Sequence, residues 1–280
     1  MRLFIFGLGY VATELVRQWQ KLGFEVTGTH RELKPDEPIP HFAFSDQVLL
    51  DADGLAALEN AEAVLITIPP SGMMVDPVYR FYARVLSESR HLKWLGYLST
   101  TGVYGDHHGN WVSEETPVNP QTPRSQARVL AEQQWGKMRG MPVHIFRLSG
   151  IYGPGKSALQ RAEKDAPIIH KPAHVFNRIH VADIVMALIT SMFNPTPHQI
   201  YNLSDDLPAA GDEVLRFAYE LIGKTPPEAV LYRDVDFSEM AKEFYSECKR
   251  VNADKIKSAL GLSWQYPDYK TGLQAEHDQS

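Results

Sequence analysis

The chain has 280 residues, 44% hydrophobic and 22% charged, with 28 Lys and Arg against 34 Asp and Glu for a formal net charge of −6. That balance suits a globule with enough apolar material for one large domain, or a domain plus a smaller lobe, and disfavours a nucleic-acid backbone as partner. The longest wholly apolar stretches run to about six residues where a membrane helix needs roughly 20. A single cysteine, Cys248, can make no internal disulfide, and a strand begins directly after Met1 without a leader, so the expected compartment is the cytoplasm.

Leu3, Phe4, Ile5 and Phe6 predict a buried strand over 2–6. Gly7, Gly9 and Ala12 follow in the order G-x-G-x-x-A and open a helix over 10–22 with Val11, Leu15, Trp19 and Leu22 on one face. A strand, a tight glycine turn and a helix N-terminus present backbone N–H groups and a positive dipole end to a pyrophosphate. Gly7 permits the sharp turn, Gly9 lets phosphates approach the backbone, and Ala12 lets the helix pack closely. Gly7, Gly9, Tyr10, Val11 and Ala12 are therefore the expected phosphate side of a dinucleotide site.

The second strand is expected over Phe24–Gly28, followed by a polar, proline-rich loop over 32–41 and a short strand at Phe42–Phe44. A weak helix over 53–59 leads to a buried strand over Ala63–Ile68. Asp76 can cap a helix carrying Val78, Phe81, Tyr82, Val85 and Leu86 on one face. Strands over Lys93–Ser99 and Pro142–Leu148 flank a helix over 124–138. A helix over 182–193, a strand over 199–203, a helix over 211–222 and a mixed, proline-containing stretch over 224–252 complete the pattern. The last six residues read as frayed.

Alternating β and α units with apolar strands define the fold class as α/β, a Rossmann-like doubly wound parallel sheet with a small C-terminal substrate lobe. The dinucleotide-binding domain is expected over 1–170, with segments 176–205 returning to it. The smaller mixed lobe is expected over 171–280.

Sites that prefer NAD place a carboxylate at the end of the second strand, on the ribose 2′-hydroxyl. Here that strand runs Val26-Thr27-Gly28-Thr29-His30-Arg31, without the carboxylate and with Arg31 one position beyond its place. A guanidinium can bind a 2′-phosphate bidentately where a carboxylate would repel it, so NADP is expected, with NAD as the alternative. Arg31 as a solvated loop cation competes with that reading. Asp46 is placed to accept a bond from the adenine amino group, or serves as a turn residue.

Several segments, taken in order, resemble the extended short-chain dehydrogenase/reductase family of epimerase/dehydratase-like proteins. They are the glycine turn, Tyr97–Gly105 (YLSTTGVYG), Arg147–Gly155 (RLSGIYGPG), Arg178–Asp183 (RIHVAD) and Asn252–Gly261 (NADKIKSALG). The resemblance implies a Ser or Thr that orients the substrate oxygen, a Tyr that moves the proton, and a Lys that holds the ribose and lowers the Tyr pKa. Thr100 matches the first role. The Tyr-x-x-x-Lys should lie ahead of Ala131-Glu132, where this chain has Arg124-Ser125-Gln126-Ala127-Arg128. The chain thus resembles atypical extended members in which that motif is degraded.

Arginine at 124 neither gives nor takes a proton near neutral pH, but it can neutralise a carboxylate or phosphate. Arg128 can keep part of the lysine's role by bonding ribose hydroxyls. The alternative for both is an exposed helix residue. Tyr104, four residues after Thr100, is the substitute candidate for proton transfer, with packing as its alternative role. Ile68-Pro69-Pro70 departs from the small residues implied where the nicotinamide half settles, since two prolines stiffen the loop and remove two donors.

His107 and His108 beside Asp106 do not read as a metal site, because adjacent side chains rarely converge on one ion. His180 reads as a helix anchor. Arg147, Arg178 and the 148–180 region are candidates to embrace an anionic small-molecule substrate. The resemblance also implies a homodimer through helices 76–89 and 122–139, with Tyr82, Leu86, Leu130 and Trp135 either on that face or packed in the core.

Two functional readings stand. One is an NADP-dependent oxidoreductase or epimerase acting on a nucleotide sugar or small carbonyl compound. The other is a catalytically degenerate, NADP-binding sensor of the same fold.

Overall fold

A computed structural model describes residues 1–70, 75–138 and 140–279. The chain runs through β1 (Arg2–Phe6), α1 (Tyr10–Lys21), β2 (Glu25–His30), β3 (His41–Ala43), α2 (Ala52–Glu59), β4 (Ala63–Ile66) and α3 (Pro77–Glu88). Next come β5 (Trp94–Thr100), β6 (Trp111–Val112), α4 (Pro123–Trp135), β7 (Val143–Leu148), β8 (Gly150–Tyr152) and α5 (Ala158–Glu163). Then follow β9 (Ile169–His170), β10 (Arg178–His180), α6 (Val181–Phe193), β11 (Gln199–Leu203) and α7 (Gly211–Leu221). The last elements are β12 (Val230–Leu231), α8 (Glu239–Ser246), β13 (Arg250–Val251), α9 (Asp254–Leu260) and α10 (Tyr269–Asp278).

The chain divides into two compact units that interleave along the sequence. The first comprises Met1–Val103, Pro123–Arg147 and Val185–Tyr201; the second comprises Tyr104–Thr122, Leu148–Ile184 and Asn202–Ser280.

The first unit carries the central sheet, in the order β11-β7-β5-β4-β1-β2-β3. β1 pairs in parallel with both β2 and β4, so the order reverses beside it. In such sheets the crevice at the C-terminal strand ends, at the reversal, is where a ligand settles. The strands are apolar on both faces because helices cover both. Phe4, Phe6, Val64, Ile66, Leu95, Tyr97 and Ile145 are all buried and pack with Val78, Tyr82, Leu86, Ala131 and Trp135 from α3 and α4. Each such side chain contributes about 1.5–3 kcal/mol on burial.

Local chemistry sets the helix ends. Asp76 caps α3, accepting from Tyr79 N at 2.9 Å, with Pro77 at the first helical position. Asp51 caps α2, accepting from Gly54 N at 2.8 Å. Leu22, expected on the apolar face of the first helix, follows its last turn and is 51% exposed. β4 stops at Ile66, two residues short of expectation, because Thr67 turns its hydroxyl onto the glycine turn and two prolines follow.

In the second unit α5, α7 and α10 enclose a smaller core of Leu159, Ile168, Val214, Leu215, Tyr219, Tyr269 and Leu273. The expectation of a frayed end is corrected here, with residue 280 outside the described residues. Asp268 caps α10 by accepting from Thr271 N at 2.8 Å, and Tyr269, Gly272, Leu273 and Glu276 are buried on its inner face. The Asp-x-x-Thr pattern was the readable signal. Among the described residues no helix is long and apolar enough to cross a membrane.

Candidate functional site

The turn after β1 is pinned from two sides. Gly7 has φ +100°, a conformation that penalises any Cβ. Its N–H donates to Thr29 Oγ1 at 3.0 Å, and its carbonyl accepts from Thr67 Oγ1 at 2.6 Å. A Cβ on Gly7 would lie 2.4 Å from Ile68 Cγ2 and 2.7 Å from Thr67 Oγ1. Thr29 and Thr67 were missed in the sequence reading; a hydroxyl residue at the ends of the two strands flanking β1 was the available signal.

Gly9 behaves in the opposite way. It caps α1 with no side-chain hydrogen bond, and the first turn holds no acidic residue. A Cβ built on Gly9 would meet nothing within 4 Å. Ala12 is fully buried and Val11 nearly so, which brings the helix start close to the sheet. Together these leave an open, electropositive helix end of the kind that accepts a pyrophosphate, so the residues present fit a dinucleotide.

Beside the turn lies a cavity of about 660 Å³, lined by Arg31, Glu32, Phe44, Asp46, Ile68 and Pro69 among others. Four positions singled out from sequence, Arg31, Asp46, Ile68 and Pro69, thus come together. Glu32, which lines the same cavity as Arg31, was not anticipated. The loop carrying both is closed by His30 Nε2 on Glu37 Oε2 at 2.7 Å.

At the end of β5, Thr100 Oγ1 accepts from Gly102 N at 3.1 Å. A Cβ on Gly102 would lie 3.5 Å from Thr100 Oγ1 and 3.9 Å from Ser125 Cβ, so the start of α4 is adjacent. Arg124, next to Ser125, is exposed. Arg128 is half-buried, and its Nη1 donates to Leu98 O at 2.7 Å and Tyr97 Oη at 2.9 Å.

The other candidates are engaged elsewhere. Tyr104 is fully buried, and its hydroxyl donates to Asn202 Oδ1 at 2.7 Å. Arg147 is buried in an ion pair with Glu132 at 2.7 Å, so its expected place around a substrate is corrected. Of the two places open to them, a dimer face or the core, Tyr82, Leu86 and Trp135 take the core of the first unit; of the four only Leu130 is exposed. That expected helix was drawn to 139, a position outside the described residues.

In the second unit a cavity of about 540 Å³ is lined by Tyr152, Lys156, Arg161, Asn177, Arg178 and Tyr269 among others. Arg178 lines it but spends Nη1 on Phe176 O and Ala209 O, and burial pulls its pKa below the ordinary value. Asp205 is buried, which pushes its pKa up to about 8 against the opposing charge of Arg178. His180 Nδ1 accepts from Ala182 N at 3.2 Å, the helix anchor expected of it. His108 pairs with Asp106 at 2.9 Å, and among the described residues no three His, Cys, Asp or Glu side chains are grouped to hold a metal.

A doubly wound sheet with an open glycine turn at its reversal defines a protein of the dinucleotide-binding Rossmann class. The NAD dependent epimerase/dehydratase family model matches residues 3–204, and the chain belongs to that family. Protein YeeZ of Escherichia coli (strain K12) is 29% identical over 281 residues, covering 94% of this chain and 96% of YeeZ. A functionally unknown conserved protein from Silicibacter pomeroyi DSS superposes with a TM-score of 0.89 at 38% identity, covering 99% of this chain and 98% of that one. MoeE5, solved in complex with UDP-glucuronic acid and NAD, shares the fold with a TM-score of 0.81 at 18% identity, covering 99% of this chain and 98% of its own.

Proposed function

We propose that the chain is an NADP-dependent oxidoreductase or epimerase of the extended short-chain dehydrogenase type, acting on a nucleotide sugar or small carbonyl compound that bears an anionic group. The observation that carries this reading is the open face of Gly9 at an uncapped helix start, beside a cavity that gathers Arg31, Asp46, Ile68 and Pro69. Arg31 pairs with a 2′-phosphate in this reading, and Asp46 accepts from the adenine amino group. A nicotinamide cofactor supplies hydride acceptance and donation at its C4.

This chain's own residues do the rest. Thr100 has one lone pair engaged by Gly102 N–H, which leaves its hydroxyl proton to donate to a substrate oxygen. Arg124 holds the anionic group of the substrate and moves no proton, since a guanidinium stays protonated in water near neutral pH. Tyr104, buried and bonded to Asn202, takes a packing role. The likeness to MoeE5, solved with UDP-glucuronic acid and with UDP-glucose, supports a nucleotide-sugar substrate, whose diphosphate is itself anionic.

Tritium transfer from NADPH labelled at the nicotinamide C4, screened over sugar nucleotides and ketones, tests the reading. Label in a product supports it. Tight NADPH binding with no label transfer, unrelieved by Arg124→Tyr with Arg128→Lys, overturns it in favour of a cofactor sensor.

A further inference from the structure

β4 and β5 run in parallel register from Ala63 opposite Trp94 to Ile66 opposite Tyr97, and then part. β5 continues to Thr100, while the other chain segment turns away through Thr67, Ile68, Pro69 and Pro70. Beyond Tyr97, β5 has no ladder partner in register on its β4 side, and neither proline has an N–H to offer. Arg128 enters this gap from α4. Its Nη1 donates to Leu98 O at 2.7 Å and Tyr97 Oη at 2.9 Å, with a longer contact to Ile68 O at 3.4 Å. The guanidinium carbon sits 5.5 Å from the centre of the Tyr97 ring. One nitrogen therefore touches both parted segments.

The segment it reaches serves the dinucleotide site twice. Ile68 and Thr67 form the wall against which Gly7 is fitted, with Thr67 Oγ1 bonded to Gly7 O at 2.6 Å. Ile68, Pro69 and Pro70 also line the cavity that holds Arg31 and Asp46. Without amides on the two prolines, the Ile68 carbonyl is the handle by which this wall can be held from the α4 side.

We propose that Arg128 is a positioning residue for the adenosine half of the cofactor: it straps the diverging ends of β4 and β5 and so holds the Thr67–Pro70 wall against the glycine turn. This rests on the dinucleotide reading above. It differs from a direct ribose bond, because a residue that holds a ribose beside the proton-transfer group would contact the nicotinamide half.

Calorimetric titration of the full chain with NADPH, 2′,5′-ADP and 5′-ADP separates the two roles, since both adenosine probes lack the nicotinamide ribose. Arg128→Ala is expected to weaken the adenosine probe that the wild type binds by about tenfold or more. Arg128→Lys should stay within about threefold of wild type, because an ammonium has three N–H donors for the three acceptors that the two N–H groups of Nη1 share. Where Arg128→Ala does not fold, Arg128→Met keeps the stem packed and removes only the donors. Adenosine-probe affinity unchanged in the alanine or methionine variant overturns the strap, whether or not NADPH affinity falls. A lysine variant as weak as alanine does the same. A wild-type chain that binds none of the three ligands overturns the dinucleotide reading itself, a result distinct from equal binding by wild type and variant.

Discussion

Arg147 and Glu132 form a buried ion pair in the sheet unit, with Nη2 of the arginine 2.7 Å from Oε2 of the glutamate. Arg147 Nε also donates to the same carboxylate, and Ser99 Oγ donates to its Oε1 at 2.6 Å. The pair ties β7 to α4 and, through Ser99, to the residue before Thr100. Glu132→Ala leaves a buried guanidinium without its counter-ion, which is expected to cost about 3–5 kcal/mol in urea unfolding. A loss below about 1 kcal/mol would show the pair to be solvated.

Gly7 and Gly9 separate stability from binding. Gly7→Ala meets both a positive φ and the Ile68 and Thr67 side chains, so the unfolding midpoint should fall. Gly9→Val points into open space, so it should leave the midpoint nearly unchanged while dinucleotide affinity drops by about tenfold or more. A Gly9 variant that binds NADPH like wild type would mean that the pyrophosphate lies elsewhere.

Arg31→Ala is expected to weaken NADP by about 1.5–3 kcal/mol, the worth of a hydrogen bond to a charged group, and NAD by far less. Isothermal titration with both dinucleotides checks this. Equal weakening of the two would remove Arg31 from the 2′-phosphate. Glu32, in the same cavity, should act in the opposite sense, so Glu32→Gln is expected to raise NADP affinity.

Thr100→Val removes a hydroxyl without disturbing the strand, since valine is nearly isosteric and suited to β structure. The expected result is a fall in kcat/KM of about a hundredfold with NADPH affinity unchanged. Steady-state kinetics on a substrate found by the label screen reads both quantities, and an unchanged kcat/KM would remove Thr100 from the substrate oxygen.

Asp205 gives stability a pH dependence of definite sign. Burial raises its folded pKa to about 8 from 3.8. The folded chain therefore keeps a proton that the unfolded chain has released between those values. Its contribution is fully present below about pH 4 and is lost as pH rises through about 8. Asp205→Asn does not titrate, so wild-type stability minus variant stability should fall across that window, at no more than about 1.4 kcal/mol per pH unit. Parallel stability curves for the two proteins would contradict it.

Residues 3–12 and the apolar strands announced the sheet and its glycine turn because backbone conformation there depends on local sequence. Gly7 needs a positive φ, and four apolar residues in a row need cover on both faces. Arg31, Asp46, Ile68 and Pro69 were legible as a group because each follows a strand of a parallel sheet, and such sheets bring all their C-terminal strand ends to one edge. Tyr82, Leu86 and Trp135 were open to two readings from sequence, a subunit face or the core, and the structure places them in the core. An apolar helix side looks the same from sequence whether a sheet or a second subunit covers it.

What the amino-acid order determined alone was therefore the class of fold and the open turn, since both follow from spacing and local sterics. Only the tertiary structure decided which cations were spent inside. Arg147 is consumed by Glu132, Arg178 by two carbonyls and Arg128 by the parted strands. The reason is that a charge's partner is set by what folding brings within about 3 Å of it from distant parts of the chain, and neighbours in sequence carry no record of that distance.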